Sequence, residues 1–305
     1  MDARKEMQAR LDPLIAERAP WFFSGKPQHA LFRSALMAAL QYPRTLDLAA
    51  DFKDLPSDEI VRRMQALIVR DLRVEGLDNI PATGPALIVS NHPTGIADGL
   101  VMLSAVGAVR DDLFIYANHD IIRVLPQLED LIAPVEWRVE KRSHAKTKAT
   151  MDYTRRALIE QGRIGLIFPS GRLAKRVGLH LNERPWMPSA AMIAKKFGAP
   201  VIPVRIFARN SALFYLLDAI HPTVRDVTLF HEVLNKAGHT YKINVGRPID
   251  PATLPKSSED GIALLREAVL ALPEPSPEAV RLAQIDRLKL HRRGAIRRRP
   301  MKEKP

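Results

Sequence analysis

The chain has 305 residues, 46 Lys plus Arg against 34 Asp plus Glu, a formal net charge of +12, no cysteine and 46% hydrophobic residues. That length holds one ordinary domain with extensions, at roughly 100–200 residues per domain, and the apolar content excludes a chain that is disordered throughout. The lack of cysteine excludes disulfide scaffolds, thiolate zinc, iron–sulfur clusters and cysteine nucleophiles together.

The first seven residues, Met1 to Met7, carry charges of both signs and are not followed by the apolar run of a secretory leader, so export by that route is not expected. An uncharged stretch such as Gly99 to Val109 is far shorter than the ~20 apolar residues needed to span a bilayer, and no membrane span is expected. The positive charge is uneven. Arg281 to Pro305 contains ten basic and two acidic residues, a net +8 that leaves +4 for the other 280. Such a tail suits anionic lipid, at ~1 kcal/mol per basic residue, or nucleic acid through counterion release; a solvated terminus is the plainer reading.

In chain order, residues 1–70 read as a helical segment, with Leu31, Leu36, Leu40, Ile60, Met64, Leu67 and Ile68 at helical spacing and Pro43 and Pro56 as punctuation. From residue 71 to 272 the pattern changes to short β-rich runs: 86–90, 113–117, 164–168, 200–206 and 241–245. Helices are expected between them near 98–109, 144–161 and 187–198, and another near 258–272. Alternation of this kind predicts an α/β fold, a mixed and mostly parallel sheet flanked by helices. Residues 273–305, opening with Pro273-Glu274-Pro275-Ser276-Pro277, read as a linker and basic tail.

The run 86–90 leads directly into Asn91-His92-Pro93-Thr94-Gly95-Ile96-Ala97-Asp98-Gly99. Binding groups collect at the carboxyl ends of strands in α/β sheets. Six steps of about 100° would place His92 and Asp98 about 120° apart on one helix, so a loop bent at Pro93 and Gly95 is needed to bring them together. A carboxylate beside an imidazole fixes its tautomer and stabilises the imidazolium formed when it takes a proton. The bland alternative is a helix-capping Asp98 and an idle loop histidine.

Four ordered segments resemble the glycerolipid (lysophosphatidate acyltransferase-like) acyltransferase family. Asn91-His92 through Asp98 is similar to its Asn-His, four residues, Asp signature. Trp137-Arg138-Val139-Glu140-Lys141-Arg142 resembles the second motif, a strand ending in a cation. Ile167-Phe168-Pro169-Ser170-Gly171-Arg172 resembles the third, usually Phe-Pro-Glu-Gly-Thr-Arg, and Val201-Ile202-Pro203-Val204-Arg205-Ile206 the fourth. The chain departs from the family in having five residues between His92 and Asp98, Ser170 in place of Glu, and Arg172 one position early. These departures, with Arg184-Pro185-Trp186, Ala208-Arg209-Asn210-Ser211 and Leu234-Asn235-Lys236, resemble the hemolysin-like and lyso-ornithine-lipid subgroup and point away from a glycerol 3-phosphate acceptor.

The resemblance implies acyl transfer from an acyl thioester, acyl carrier protein or coenzyme A, to the hydroxyl of a lyso-lipid, with no other cofactor and no metal. It implies His92 as general base and Asp98 as its partner. Asn91, Lys141, Arg142, Ser170, Gly171 and Arg172 are expected to bind substrate, the cations because a guanidinium grips phosphate or carboxylate through two bonds. Pro203 is expected to shape a sheet edge or an acyl-binding wall. It further implies a cytoplasmic protein held peripherally on the inner face of the membrane by the basic tail, with an acyl carrier protein as a further partner and no specific nucleic acid. Two other readings stay open on the residues: a serine hydrolase using Ser170, which lacks the Gly two positions earlier that a nucleophile elbow needs, and a nucleic-acid binder using Arg297-Arg298-Arg299. His119-Asp120 resembles half of a metal-dependent phosphohydrolase pair but has no second cluster in the sequence.

Overall fold

A computed structural model of the chain describes residues 2–18, 20–136, 141, 143–178, 180–220, 232 and 239–282. Four helices come first: α1 (Ala3–Arg18), α2 (Pro27–Ala39), α3 (Tyr42–Phe52) and α4 (Ser57–Ile68). Pro43 lies in the first turn of α3 and Pro56 immediately precedes α4, positions where the missing N–H costs nothing. Asp58 and Glu59 favour the amino end of α4. Ile60 and Ile68 are buried there, whereas Leu31 on α2 is largely exposed.

The strands are β1 (Asp71–Glu75), β2 (Ala86–Ser90), β3 (Leu113–Asn118), β4 (Ile132–Val135), β5 (Ile164–Ile167), β6 (Lys175–Val177), β7 (His180–Asn182), β8 (Val201–Phe207), β9 (Thr240–Val245) and β10 (Val280–Leu282). Strands β6 and β7 form a separate hairpin; the other eight make one sheet in the order β10-β1-β9-β8-β2-β5-β3-β4. Pairing is parallel except between β8 and β9 and between β1 and β10. The expected α/β fold, a mixed and mostly parallel sheet with helices, is therefore present.

Alternate residues of β2 enter different cores, as the two-residue period of a strand requires. Ala86 and Ile88 join α4, α5 (Ile96–Val106) and the short α6 (Asp120–Val124) on one face. Leu87 and Val89 join α7 (His144–Arg155), α8 (Ser189–Phe197) and the last helix, Ser258–Leu270, on the other. Burial on both faces explains why the central strands read as unbroken apolar runs.

Several expectations change in detail. The helix expected over 144–161 is α-helical to Arg155 and continues as a wider π-turn over Arg156–Glu160. Strand β8 lies inside the sheet rather than at its edge, and Pro203 is not on the cavity wall described below. Its ring is tolerated because the β8–β9 ladder starts only at Val204, while Val201 bridges separately to Ile249. Within the expected linker and tail, Val280–Leu282 pairs antiparallel with β1, and Arg281 lies 2.6 Å from Asp71. Residues 283–305, the rest of that tail, lie outside the described residues, as do Arg138, Val139 and Leu234-Asn235-Lys236.

The amino ends of the central strands are tied by one cation. The Arg110 side chain is almost fully buried and makes two bonds to the Asp112 carboxylate, at 2.6 and 2.7 Å. Its remaining donors reach the carbonyls of Pro81 (3.0 Å), Gly84 (2.8 Å) and Gly162 (2.8 Å). These groups precede β2, β3 and β5, so a single guanidinium sets where three strands begin. Arg110→Met would leave Asp112 and three carbonyls without that partner, and is expected to cost about 3–5 kcal/mol in denaturant unfolding.

Candidate active site

The carboxyl ends of parallel β2 and β5 open side by side. Beyond β2, Asn91 extends the sheet with its side chain. Its Nδ2 donates to the Ile206 carbonyl (2.9 Å) and its Oδ1 accepts the Ile206 N–H (2.7 Å). The chain must then turn sharply to start α5. Gly95 takes φ +96°, a backbone conformation that glycine adopts without steric cost.

Asp98, at the third position of α5, is completely buried and closes this turn. Its Oδ2 accepts the N–H groups of Thr94 (2.8 Å) and Gly95 (2.9 Å), and its Oδ1 accepts the Thr94 hydroxyl (2.5 Å). The helix amino terminus further favours the negative charge. The loop so folded returns His92 to the same carboxylate, with Nδ1 2.9 Å from Oδ2. The oxygen lies off the ring N–H direction, and this buried Nδ1 has no linear hydrogen bond.

The imidazole is held on its other sides as well. It stacks on Phe168 with ring centres 4.2 Å apart and planes 21° from parallel. The His92 N–H donates to Glu183 Oε1 (3.1 Å), and its carbonyl accepts from Ala174 N–H (3.0 Å). Glu183 also accepts the Trp186 indole N–H (3.3 Å). Burial pushes the Glu183 carboxyl above the ordinary glutamate value, against the opposing pull of the His92 N–H, the Trp186 N–H and the His92 charge. Nε2 of His92 makes no hydrogen bond among the described residues.

The ring borders a cavity of about 1680 Å³, larger than the roughly 300–1,000 Å³ of ordinary small-ligand clefts. Its lining includes the apolar Leu11, Leu48, Phe52 and Met64 from the N-terminal helices and Leu100 and Leu103 from α5. It also includes the basic Lys146, Arg172, Lys175, Arg184, Lys195 and Lys196.

The residues singled out from sequence divide accordingly. His92, Gly171 and Arg172 line the cavity, and Asp98 stands directly behind His92. Gly171 turns at φ +57° with its N–H on the Phe168 carbonyl (2.9 Å). Asn91 and Ser170 are not on the wall: the Asn91 amide is engaged on both sides by Ile206, and the Ser170 hydroxyl donates to the Arg172 carbonyl (2.7 Å). No imidazole among the described residues touches Ser170, so the serine-hydrolase arrangement is not formed. Lys141 is exposed, off the cavity wall, and pairs with Glu17 at 3.0 Å; Arg142 lies outside the described residues. Asp120 is engaged by Asn118 (2.9 Å) and Arg123 (3.2 Å). No cluster of three or more metal-ligating side chains occurs among the described residues, and none of their helices is long and apolar enough to cross a membrane.

Sequence reasoning missed Thr94, Phe168 as a stacking partner, Glu183 and Trp186. Only Thr94 had a local signal, a hydroxyl and a glycine placed just ahead of an acidic residue in the first turn of a helix. Glu183 is 91 positions from His92 and belongs to no recognisable pattern.

Comparison with known proteins bears on the same segment. Residues 71–207 match the Acyltransferase family. The lyso-glycine lipid O-acyltransferase of Phocaeicola vulgatus is 23% identical over 192 residues, covering 61% of this chain and 67% of that protein. The one from Bacteroides thetaiotaomicron is 26% identical over 197 residues, covering 61% and 68%. Among solved structures, the 1-acyl-sn-glycerophosphate (LPA) acyltransferase PlsC of Thermotoga maritima aligns over 88% of this chain and 94% of its own, with 19% identity and a TM-score of 0.45. The segment that matches the Acyltransferase family, residues 71–207, carries the His92–Asp98 turn, the Phe168 loop and the hairpin.

Proposed function

We propose that the protein transfers a fatty acyl group from an acyl thioester to the hydroxyl of a lysolipid, with His92 as general base. The observation that carries this reading is an imidazole with Nδ1 against a fully buried carboxylate and Nε2 unengaged, on the wall of a large, partly apolar cavity. In the reaction, Nε2 takes the proton of the acceptor hydroxyl as its oxygen attacks the thioester carbonyl. The new C–O bond forms, the C–S bond breaks, and the imidazolium returns the proton to the departing thiolate. Asp98 stabilises that imidazolium and limits its rotation. No acyl-enzyme is required, because the thioester is already activated and binding supplies the proximity.

The apolar lining residues suit the acyl chain, and the cations at Arg172, Lys175 and Arg184 suit phosphate on the donor or an anionic head group. The basic surroundings fit either coenzyme A or an acidic acyl carrier protein as donor. The acceptor class follows the relatives named for lyso-glycine lipid, with lyso-ornithine lipid as its neighbour in kind. We assign the basic tail to peripheral contact with the anionic inner face of the cytoplasmic membrane. The exposed Phe23, Leu31 and Phe32 add apolar surface of the sort that enters a headgroup region.

The direct test incubates purified protein with long-chain acyl thioester and, separately, lyso-glycine lipid, lyso-ornithine lipid and lysophosphatidate, with products read by mass spectrometry. Ester formation on at least one lysolipid is expected, falling roughly 10²–10⁴-fold in His92→Ala and by at least roughly tenfold in Asp98→Asn. Ser170→Ala retains turnover. Transfer by His92→Ala at the wild-type rate would contradict the reading.

Two further outcomes follow from the cavity and the tail. Ala49 lies on the cavity wall, so Ala49→Trp is expected to lower kcat/KM for long-chain donors by about tenfold relative to short-chain donors. Deleting residues 283–305 is expected to reduce co-sedimentation with anionic vesicles in a salt-dependent way while sparing turnover of dispersed short-chain substrate. Unchanged vesicle binding would remove the membrane role from the tail.

A further inference from the structure

The peptide of His92 is gripped on both sides by the two ends of one hairpin. Ala174, just before β6, donates its N–H to the His92 carbonyl (3.0 Å), and Glu183, just after β7, accepts the His92 N–H through Oε1 (3.1 Å). The other Glu183 oxygen is anchored by the Trp186 indole (3.3 Å), whose ring is buried in the core beneath α8. The hairpin itself presents Lys175 to the cavity, and the strand leaving it is followed by Arg184, also on the cavity wall. One short hairpin and its flanks therefore hold the main chain of His92 and contribute Lys175 and Arg184 to the cavity wall.

We infer that Glu183 is a positioning residue for the acyl transfer, fixing the His92 ring from its main-chain side while Asp98 fixes it from the side-chain side. A half-buried carboxylate is a costly choice for a structural hydrogen bond, and here it is spent on the one backbone N–H that precedes the base's side chain. Its bond to the peptide N–H is charge-assisted and correspondingly stiff. Residue 92 is then constrained at its N–H, its carbonyl, its ring face and its Nδ1, which leaves Nε2 as the ring nitrogen directed to substrate.

This inference rests on His92 being the base, and the test separates the two. Steady-state kinetics with a thioester donor and the best lysolipid acceptor are compared for wild type, Glu183→Ala, Glu183→Gln, Trp186→Phe and His92→Ala, with a thermal melting midpoint for each. Glu183→Ala is expected to lower kcat roughly tenfold to a hundredfold with KM for the donor little changed, because the lost bond to a charged acceptor misplaces the base without removing binding groups. Glu183→Gln keeps an acceptor oxygen and is expected to recover most of kcat. Its melting midpoint should match or exceed that of wild type at neutral pH, since a neutral amide avoids the burial cost of the carboxylate. Trp186→Phe, which retains an aromatic ring but frees Oε2, is expected to lower kcat by about threefold; it keeps the test decisive should the alanine variant fold poorly. Wild-type kcat in Glu183→Ala or Trp186→Phe, or a Glu183→Gln as impaired as Glu183→Ala, overturns the inference while an inactive His92→Ala leaves the assigned base standing. An active His92→Ala would instead remove the reading on which it rests.

Discussion

The site depends on a single negative charge placed where water does not reach it. Asp98 accepts two backbone N–H groups and a hydroxyl from the two residues that form the turn, and the imidazole two residues earlier approaches the same oxygen. Burying a carboxylate is costly unless such donors satisfy its oxygens. With them, and with the amino end of α5 behind it, it can remain an acceptor that shapes the loop and faces the ring. The five residues between His92 and Asp98 are accommodated because Gly95 adopts a positive φ and lets Asp98 reach back over it.

The sheet determines what this pair can act on. Both sheet faces are buried under helices, so the open ground lies beyond the carboxyl ends of β2 and β5, where His92 and Phe168 emerge next to each other. The amino ends, by contrast, are closed by Arg110. Stability and chemistry thus occupy opposite ends of the same strands. The N-terminal helices add apolar residues to the cavity wall, and the segment after β5 adds Arg172, Lys175 and Arg184. His92 borders this cavity at the carboxyl end of β2.

Much of this was legible from sequence because its causes are local. Doubly buried strands give continuous apolar runs, as at 86–90 and 164–167, and a strand running into a His-Pro-Thr-Gly turn marks a site. Elements whose causes are distant were not legible. β4 contains Pro134, β10 is three residues of a segment that reads as linker, and the β6–β7 hairpin has too little apolar alternation to announce itself. Periodicity placed Leu31 in a helix correctly but carried no information that its neighbours leave it exposed. Asn91 and Ser170 fall within recognisable motifs, yet their polar atoms are used by the backbone of Ile206 and Arg172. Glu183 was invisible because its partner is a main-chain N–H 91 residues away, and only tertiary structure pairs them.

The most direct measurement of the central claim is the tautomer of His92. Nitrogen-15 NMR of ring-labelled protein, recorded at a pH where the imidazole is neutral and assigned with His92→Ala, should show the proton on Nδ1 and a bare Nε2. Replacing Asp98 by Asn should weaken that preference. A neutral ring protonated on Nε2, unaltered by the Asp98 substitution, would contradict the account, because the nitrogen facing substrate would then have no room for the acceptor's proton.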